Sequence, residues 1–484
     1  MGKIIVDALN QIDSVMYYPI LIIVMAVAGI YFTSRTGFVQ IRLFKEACRL
    51  VMEPPEDKSE KSVSSFQALM VSTASRVGTG NIIGVSTAIC LGGPGACFWM
   101  WVMCIITASS AFVESTLAQI FKRRDKDGTC FGGPAYYIEK ALHAPWLAVV
   151  FCIFLICTYA VGFNLLCAFN LQSTFAAYGF YQANMIQIGG GQVSLVAIAV
   201  GVILAVLVGY CLLGGGKRVV RLTEVIVPFM GIAYVILALI VVVAHFRFIP
   251  GMFAIIFEDA FNFKAIFGGV AGSCLVYGIK RGLYSNEAGV GSAPNASASA
   301  QVSHPVKQGL VQTISVYIDT ILLCTATALM CLISGVERSA DVSGAPYVQN
   351  ALSTVFGVLG PVFITVAMVL FAFTTLIGNL YYVDNVLAYL NGKKMPSERF
   401  MKIVHIICAV IVFFGTIIPM DAAWALADIT MGGMTLINLP ACVLLGGIAV
   451  HALRDYEKQK KAGQNPVFRA KDIGLDSEEL DFWK

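Results

Sequence analysis

The sequence has few charged residues for its length. Only 13% of its 484 residues are charged, whereas 58% are hydrophobic. Soluble domains usually carry about 25% charged residues. Most of this chain therefore cannot face water, which excludes a soluble globular protein. Apolar runs longer than about 18 residues recur along the chain and predict membrane-spanning helices.

Several other patterns are also missing. The 14 cysteines include no CxxC pair and the five histidines are scattered, so no transition-metal site is expected. Strand-period alternation typical of outer-membrane barrels is absent. The sequence has no clustered nucleophile and base, which would indicate an enzyme. The net charge of +4 is spread over the loops, and we expect no nucleic-acid partner.

The apolar runs predict eleven spans in an all-α polytopic membrane protein. They cover approximately residues 17–32, 66–91, 96–121, 146–175, 193–213, 223–244, 263–282, 309–333, 355–390, 400–418 and 422–453. If the first span is set aside, ten remain, five in each half. Because five is an odd number, the second half starts on the opposite side of the membrane and therefore has the opposite orientation. This arithmetic predicts an inverted repeat.

The predicted organisation therefore has four parts. Residues 1–64 form an N-terminal membrane helix and a linker, 65–262 the first repeat, 263–453 the second repeat, and 454–484 a C-terminal tail. The loops after spans one, three, five, seven and nine carry the basic residues, which favours a cytoplasmic location for them. We expect a bacterial inner-membrane protein with its N-terminus outside and its C-terminus in the cytoplasm.

The first span of each half contains glycines where a helix is expected. Span two reads Ala74–Asn81 as ASRVGTGN, and span seven reads Phe267–Ser273 as FGGVAGS. Interrupted backbone inside a bilayer is tolerated only where protein or a water-filled cavity satisfies it. Freed amides suit a carboxylate, and freed carbonyls suit an ammonium group or Na⁺. The alternative is that these glycines only permit close helix packing.

Three motifs carry a resemblance to a known family. RVGTGNIIGV at Arg76–Val85, FGGPAYYIEKAL at Phe131–Leu142 and RGLYSNEAGVGSAP at Arg281–Pro294 are similar to the alanine/glycine:cation symporters, the sodium:alanine symporter family. The resemblance covers essentially the whole chain. It implies a leucine-transporter (LeuT) type fold of five plus five inverted helices, here with one extra N-terminal helix.

The resemblance also assigns residues to sites. For the amino acid it implies Gly78, Thr79, Gly80, Gly272, Ser273 and Cys167, the last standing where the family has a glutamine. For Na⁺ it implies backbone or side-chain oxygens of Ala74, Val77, Asn81, Thr374 and Thr375. The alternative for the two threonines is a hydrogen bond to their own helix.

Charges inside the spans are expected to face the protein interior and to pair. We interpret Arg76, Arg281 and Glu287 as gate or scaffold residues. An alternative role for charge inside the spans is a proton relay, at Glu114 or Asp319.

The predicted function is a secondary active symporter that couples Na⁺ or H⁺ influx to uptake of alanine, glycine or, as a further candidate, glutamine. The rivals are a purely proton-coupled amino-acid transporter and a passive channel. Repeated pore loops or rings of one charge, which would favour a channel, are absent.

Overall fold

The computed structural model describes residue 9 and residues 11–55, 62–125, 128–188, 191–263, 273–418 and 420–483. The helices of the first part are α1 (Gln11–Arg35), α2 (Val39–Arg42), α3 (Phe44–Val51), α4 (Ser65–Arg76), α5 (Gly80–Gly92), α6 (Ala96–Ile120), α7 (Pro134–Leu142), α8 (Pro145–Ala177), α9 (Gly179–Ala183), α10 (Leu195–Leu212), α11 (Gly216–Ala244) and α12 (Ile249–Ala260). Those of the second part are α13 (Cys274–Asn286), α14 (Pro294–Ser297), α15 (Pro305–Ile333), α16 (Ala345–Phe356), α17 (Leu359–Leu390), α18 (Glu398–Gly415) and α19 (Met420–Lys461).

Two short antiparallel hairpins lie in connecting segments. Strand β1 (Arg123–Arg124) pairs with β2 (Cys130–Phe131), and β3 (Met185–Ile188) pairs with β4 (Gly191–Ser194).

Eight helices in the described part of the chain are long and apolar enough to cross a membrane. They are α1, α6, α8, α10, α11, α15, α17 and the Trp424–Lys461 part of α19. Of the other predicted spans, the second is divided between α4 and α5, the seventh overlaps the short helix α13, and the tenth corresponds to α18. The chain is therefore a multi-pass membrane protein, and the count of eleven spans stays a prediction.

The periphery of the bundle is apolar and exposed. Only 28% of the apolar window of α11 is buried, against 67% for α6. Side chains such as Ile203 on α10 and Phe229 on α11 are more than half exposed. Apolar faces of this extent belong against lipid, so α10 and α11 lie at the outside of the bundle and α6 lies within it.

Local sequence fixes where several helices begin. The Ser64 hydroxyl accepts the amide of Gln67, and the Gln67 side chain accepts the amide of Ser64, so a capping box starts α4. The Ser273 hydroxyl accepts the amide of Val276 and caps α13. These caps satisfy amides that lipid cannot satisfy.

The two interrupted spans pack against each other in antiparallel directions. A Cβ atom at Gly92 would lie 2.6 Å from Tyr277, and one at Gly80 would lie 2.6 Å from the ring of Tyr284. Because residue numbers rise along α13 as they fall along α5, the two helices run in opposite directions. Small residues let the backbones approach this closely, and an inverted repeat requires this antiparallel arrangement.

The segment after α19 packs back onto the bundle. The amide of Phe468 donates to the carbonyl of Ser303 at 2.9 Å, and the Trp483 indole donates to the carbonyl of Gln119 at 2.8 Å. The Lys122 amine donates to the Ala300 carbonyl at 2.8 Å and lies 4.0 Å from the centre of the Phe482 ring. Burial lowers the pKa of Lys122 to about 8. The C-terminal segment therefore covers the residues that follow the interruption after α13.

Candidate functional site

The first span of the first repeat is interrupted, as predicted. Helix α4 ends at Arg76, Val77 has non-helical dihedral angles (φ −77°, ψ 87°), and α5 begins at Gly80. A Cβ atom at Gly78 would lie 2.3 Å from the Thr375 hydroxyl oxygen, so only glycine fits there. The interruption is shorter than predicted, because Gly80 and Asn81 lie inside α5.

Asn81 connects the interruption to α15. Its side-chain oxygen accepts the Gly78 amide at 2.8 Å, and its side-chain nitrogen donates to the carboxylate of Asp319 at 2.7 Å. An amide oxygen has two lone pairs, so one remains for a cation. The backbone amides of Thr79 and Gly80 have no hydrogen-bond acceptor within the described residues. The beginning of α5 is thus an anion-binding position of the kind that helix N-termini offer.

Asp319 is fully buried and joins three helices. Its carboxylate accepts from Asn81 on α5, from the Ser285 hydroxyl on α13 at 3.0 Å and from the neighbouring Thr320 hydroxyl at 2.9 Å. All three donors are neutral. The sequence prediction counted Asp319 among the in-span charges but left it outside the site, although an aspartate in an apolar run is itself a signal.

The predicted Na⁺ residues are brought together in part. The Thr375 hydroxyl donates to the carbonyl of Ala74 at 3.1 Å, so α17 meets the end of α4 at this point. Thr374 instead donates to the carbonyl of Leu370 at 2.9 Å and faces Met230 on α11. The Thr374 hydroxyl therefore bonds to its own helix, as the alternative interpretation has it, whereas the Thr375 hydroxyl bonds to α4.

Helix α8 contributes polar groups beside the interruption. The Asn170 amide nitrogen donates to the Thr79 hydroxyl at 2.9 Å, and Cys167 lies next to Thr79. The side-chain oxygen of Asn170 is buried and has no hydrogen-bond partner within the described residues. Sequence reasoning selected Cys167 and missed Asn170, three residues further along the same face of the helix.

A stack of aromatic rings covers one side of the interruption. The Tyr284 ring lies 4.7 Å from Phe163 and 5.0 Å from Trp424. The Arg281 guanidinium lies 3.7 Å from the Trp424 ring and 3.4 Å from the Asp428 carboxylate. Arg281, predicted as a gate or scaffold residue, pairs with Asp428.

The sequence predicts an interruption in the second repeat before α13. The predicted glycine cluster, including Gly272, lies outside the described residues. Ser273 caps the beginning of α13 and is eleven residues from Tyr284, about 16 Å along a helix. The structure therefore does not bring Ser273 to the Gly78–Gly80 segment.

The described interruption follows α13 at residues 287–292. Glu287 has φ 52°, and Gly289 and Gly291 have φ 87° and 90°. The amides of these two glycines donate to the carboxylate of Glu114 at 3.2 and 3.1 Å, and Asn438 donates to the same carboxylate at 2.8 Å. Groups freed by the interruption are therefore satisfied by α6 and α19. The motif RGLYSNEAGVGSAP predicted the family, but the sequence alone did not show that its glycines adopt positive φ.

Comparison with known proteins identifies the family. A model of the sodium:alanine symporter family matches residues 2–470. The chain belongs to the sodium:alanine symporter family. It is therefore a cation-coupled amino-acid symporter and not an enzyme.

Two relatives and one solved structure are informative. The amino-acid carrier protein AlsT of Bacillus subtilis is 42% identical over 475 residues, which cover 98% of this chain and 97% of that protein. The probable sodium/glutamine symporter GlnT of the same organism is 39% identical over 483 residues, covering 100% and 97%. The crystal structure of MhsT in complex with L-phenylalanine has a TM-score of 0.50 at 14% identity and covers 88% of this chain and 97% of that one. This last likeness concerns the fold alone and confirms the LeuT-type architecture.

Replacing Gly80 with alanine tests the contact between the two interrupted spans. The added Cβ would lie 2.6 Å from the Tyr284 ring, which Phe163 and Trp424 hold on either side. Overpacking of this kind typically costs about 1–3 kcal/mol, and we expect alanine uptake by G80A to fall about tenfold or more. The matched control is G84A on the same helix, where the nearest side-chain atoms would lie at 3.9 Å. Equal uptake by the two variants would contradict this account of the site.

Proposed function

We propose that this symporter couples Na⁺ entry to uptake of a small neutral α-amino acid, alanine or glycine before glutamine, by alternating access. The observation that carries the proposal is the pair of free amides at Thr79 and Gly80, buried in the bundle at the beginning of a helix. Such amides bind a carboxylate. The side-chain oxygen of Asn170, on the neighbouring α8, has no hydrogen-bond partner in the part of the chain that the structure describes, and it would accept from the ammonium group.

A first Na⁺ is proposed between Asn81 and Asp319. The remaining lone pair of Asn81 and the Asp319 carboxylate are hard oxygen donors, which suit a cation such as Na⁺ rather than a transition metal. The Asn81 side chain joins Asp319 to the helix whose first amides form the proposed carboxylate position. Two carboxylates at such a short distance repel each other unless a cation lies between them. Cation and amino acid therefore favour each other's binding, which is the physical basis of coupling.

A second Na⁺ is proposed at the end of α4, where the family resemblance implies one. The carbonyls of Ala74 and Val77 and the hydroxyl of Thr375 supply its oxygens, and the contact between Ala74 and Thr375 supports this placement. The structure gives Thr374 another partner, so Thr374 becomes a control position rather than a ligand.

Substrate charge and size follow from the surroundings of Thr79. Its described neighbours Cys167, Asn170 and Tyr284 are uncharged side chains. A basic or acidic substrate would need an opposite charge there. The close contact of Tyr284 with Gly80 leaves little room on that side. A small neutral side chain suits this pocket, and Gly272 and Ser273 are not needed to explain it.

Alternating access requires gates, and the Arg281–Asp428 pair with Trp424 suits one of them. It stands over Tyr284, on the side of the interruption opposite to Glu287. Opening this side separates Arg281 from Asp428 and moves the aromatic stack, which would expose the amides of Thr79 and Gly80.

The direct test of the function compares driving forces. Alanine uptake is measured in proteoliposomes under an inward Na⁺ gradient, a proton gradient or neither, with glycine, glutamine, lysine and glutamate as competitors. We expect accumulation above equilibrium with the Na⁺ gradient and competition by glycine. A channel would only equilibrate alanine. Uptake that ignores Na⁺, or competition by lysine or glutamate alone, would refute the proposal.

The variants T375V and T374V test the second Na⁺ site. Both replace a hydroxyl with a methyl group of nearly the same shape. Loss of an oxygen that contacts a charge costs about 1.5–3 kcal/mol, so the Na⁺ concentration for half-maximal uptake should rise about tenfold or more in T375V. It should change little in T374V. If the two variants have the same Na⁺ dependence, the assignment of Thr375 is wrong.

The orientation of the chain is also proposed: inner (plasma) membrane, N-terminus outside and C-terminus cytoplasmic. The basic loops support it. Cys48, an exposed cysteine on α3, lies in the first basic loop. A membrane-impermeant maleimide should label it in inside-out vesicles and not in intact cells, with C48S as the unlabelled control. Labelling in intact cells would reverse the topology.

A further inference from the structure

Helix α1 precedes the ten helices of the predicted repeats, yet it is joined to helices inside them. In its second half, a Cβ atom at Gly29 would overlap the Ile106 side chain of α6, so the two helices are in close contact. The Thr33 hydroxyl donates to the Ser109 hydroxyl of α6 at 3.0 Å. The second half of α1 is therefore fixed against α6.

The first half of α1 contacts α19, which carries one side of the proposed gate. Across this gate Arg281 on α13 pairs with Asp428 on α19. The Tyr17 hydroxyl of α1 donates to the backbone carbonyl of Asp428 at 3.5 Å. A Cβ atom at Gly432 of α19 would overlap the Met16 side chain of α1. The beginning of α1 therefore lies directly against the α19 side of the gate.

The first half of α1 also reaches α13, the other side of the gate, through Lys280. The Lys280 amine pairs with Asp13 on α1 and, at 2.8 Å, with Asp428 on α19. It lies 4.9 Å from the centre of the Tyr17 ring of α1. The Lys280 side chain is 14% exposed and that of Asp13 12%, so this contact is largely removed from water. One amine on α13 is thus held by α1 and α19 together.

Asp13 balances the charges of this cluster. Lys280 and Arg281 carry two positive charges, Asp428 carries one negative charge, and Asp13 supplies the second. Without Asp13, two cations would share one buried carboxylate, which is costly in low-dielectric surroundings. A buried ion pair does not stabilise a fold better than apolar packing does. Packing of α1 therefore does not by itself require a carboxylate at this position.

We propose that α1 is part of the gate and that Asp13 is a positioning residue, which holds Lys280 against Asp428 and so keeps this side of the molecule closed. Opening separates α13 from α19 and must break the contact of Lys280 with Asp428 or with Asp13. Removal of Asp13 therefore makes opening less costly. This inference rests on the proposed function, which supplies the gate.

A cysteine beside the gate can report whether the gate is open. Gly84 on α5 is buried, and a Cβ atom there would lie 3.9 Å from both Arg281 and Trp424. G84C is labelled with a membrane-impermeant maleimide in right-side-out and in inside-out vesicles, without Na⁺ or alanine. The labelling of the same protein without G84C is measured in parallel and subtracted. The readout is the labelling rate of the introduced cysteine.

We expect D13N to raise this rate about tenfold or more in right-side-out vesicles, because loss of one partner of a buried ion pair shifts an equilibrium by at least this much. The matched control is E258Q, which removes an exposed carboxylate on α12 and should keep the natural rate. Equal rates in D13N and E258Q overturn the inference. If D13N does not elute as a single folded species, D13S takes its place in the same comparison.

A double variant tests whether Asp13 acts through Lys280. Effects of residues that act through one contact do not add, so D13N/K280Q should be labelled no faster than K280Q. Independent, multiplying effects would overturn the positioning role. Faster labelling of the buried native cysteines in D13N would overturn it as well, because the whole fold and not the gate would then have loosened.

The remaining outcomes separate this inference from the proposed function. Labelling that becomes faster only in inside-out vesicles reverses the proposed orientation and supports the role of Asp13. The labelling needs no Na⁺ gradient. Failure of Na⁺ to drive alanine uptake would therefore overturn the proposed coupling, while a faster rate in D13N would still support the gate.

Discussion

Backbone groups freed inside a bilayer must be satisfied by the protein, because lipid offers them no hydrogen bonds. This constraint governs the centre of the molecule, where two spans are interrupted. Asn81 satisfies the Gly78 amide, and Glu114 satisfies the amides of Gly289 and Gly291. The first of these interruptions is satisfied locally, whereas the second is satisfied by a side chain from α6. The amides of Thr79 and Gly80 have no acceptor among the described residues, and a substrate carboxylate would supply one.

The same low-dielectric surroundings make charge a means of coupling. Interactions between charges are much stronger here than in water, so the cation proposed beside Asp319 would change the affinity for an anionic group on the neighbouring helix. Asp319 also holds Asn81 and Ser285, which belong to the two interrupted spans. A cation there would therefore act on both repeats at once. Cation binding, substrate binding and the positions of the helices would then depend on one another.

Contacts on the two sides of the interruptions suit alternating access. On one side Tyr284 contacts Gly80, Phe163 and Trp424, and Arg281 pairs with Asp428. On the other side the C-terminal segment is hydrogen-bonded to Ser303, beyond the second interruption. The first set involves α13 itself, and the second involves the segment that follows α13, so a movement of α13 would change the first set directly and the second through the connecting backbone.

The sequence by itself determined what depends on composition and local geometry. Scarce charge and long apolar runs predicted a multi-pass membrane protein, and the motifs predicted the family and its fold. The first interruption was also predictable, because Gly78 and Asn81 act within a few residues of each other. The family resemblance brought out Cys167, although not Asn170, because the contact of Asn170 with Thr79 depends on which helices become neighbours.

Only the tertiary structure decided which polar groups meet. Thr374 and Thr375 are adjacent in sequence but point about 100° apart on a helix, so packing alone selects Thr375 for the contact with Ala74. Glycine content does not distinguish close packing from an interruption, which is why the irregular backbone after α13 was not recognised from the sequence. The pairing of Arg281 with Asp428, 147 residues away, likewise depends on which helices become neighbours in the bundle. Local patterns specify that a buried charge needs a partner, and only the assembled bundle specifies which one it has.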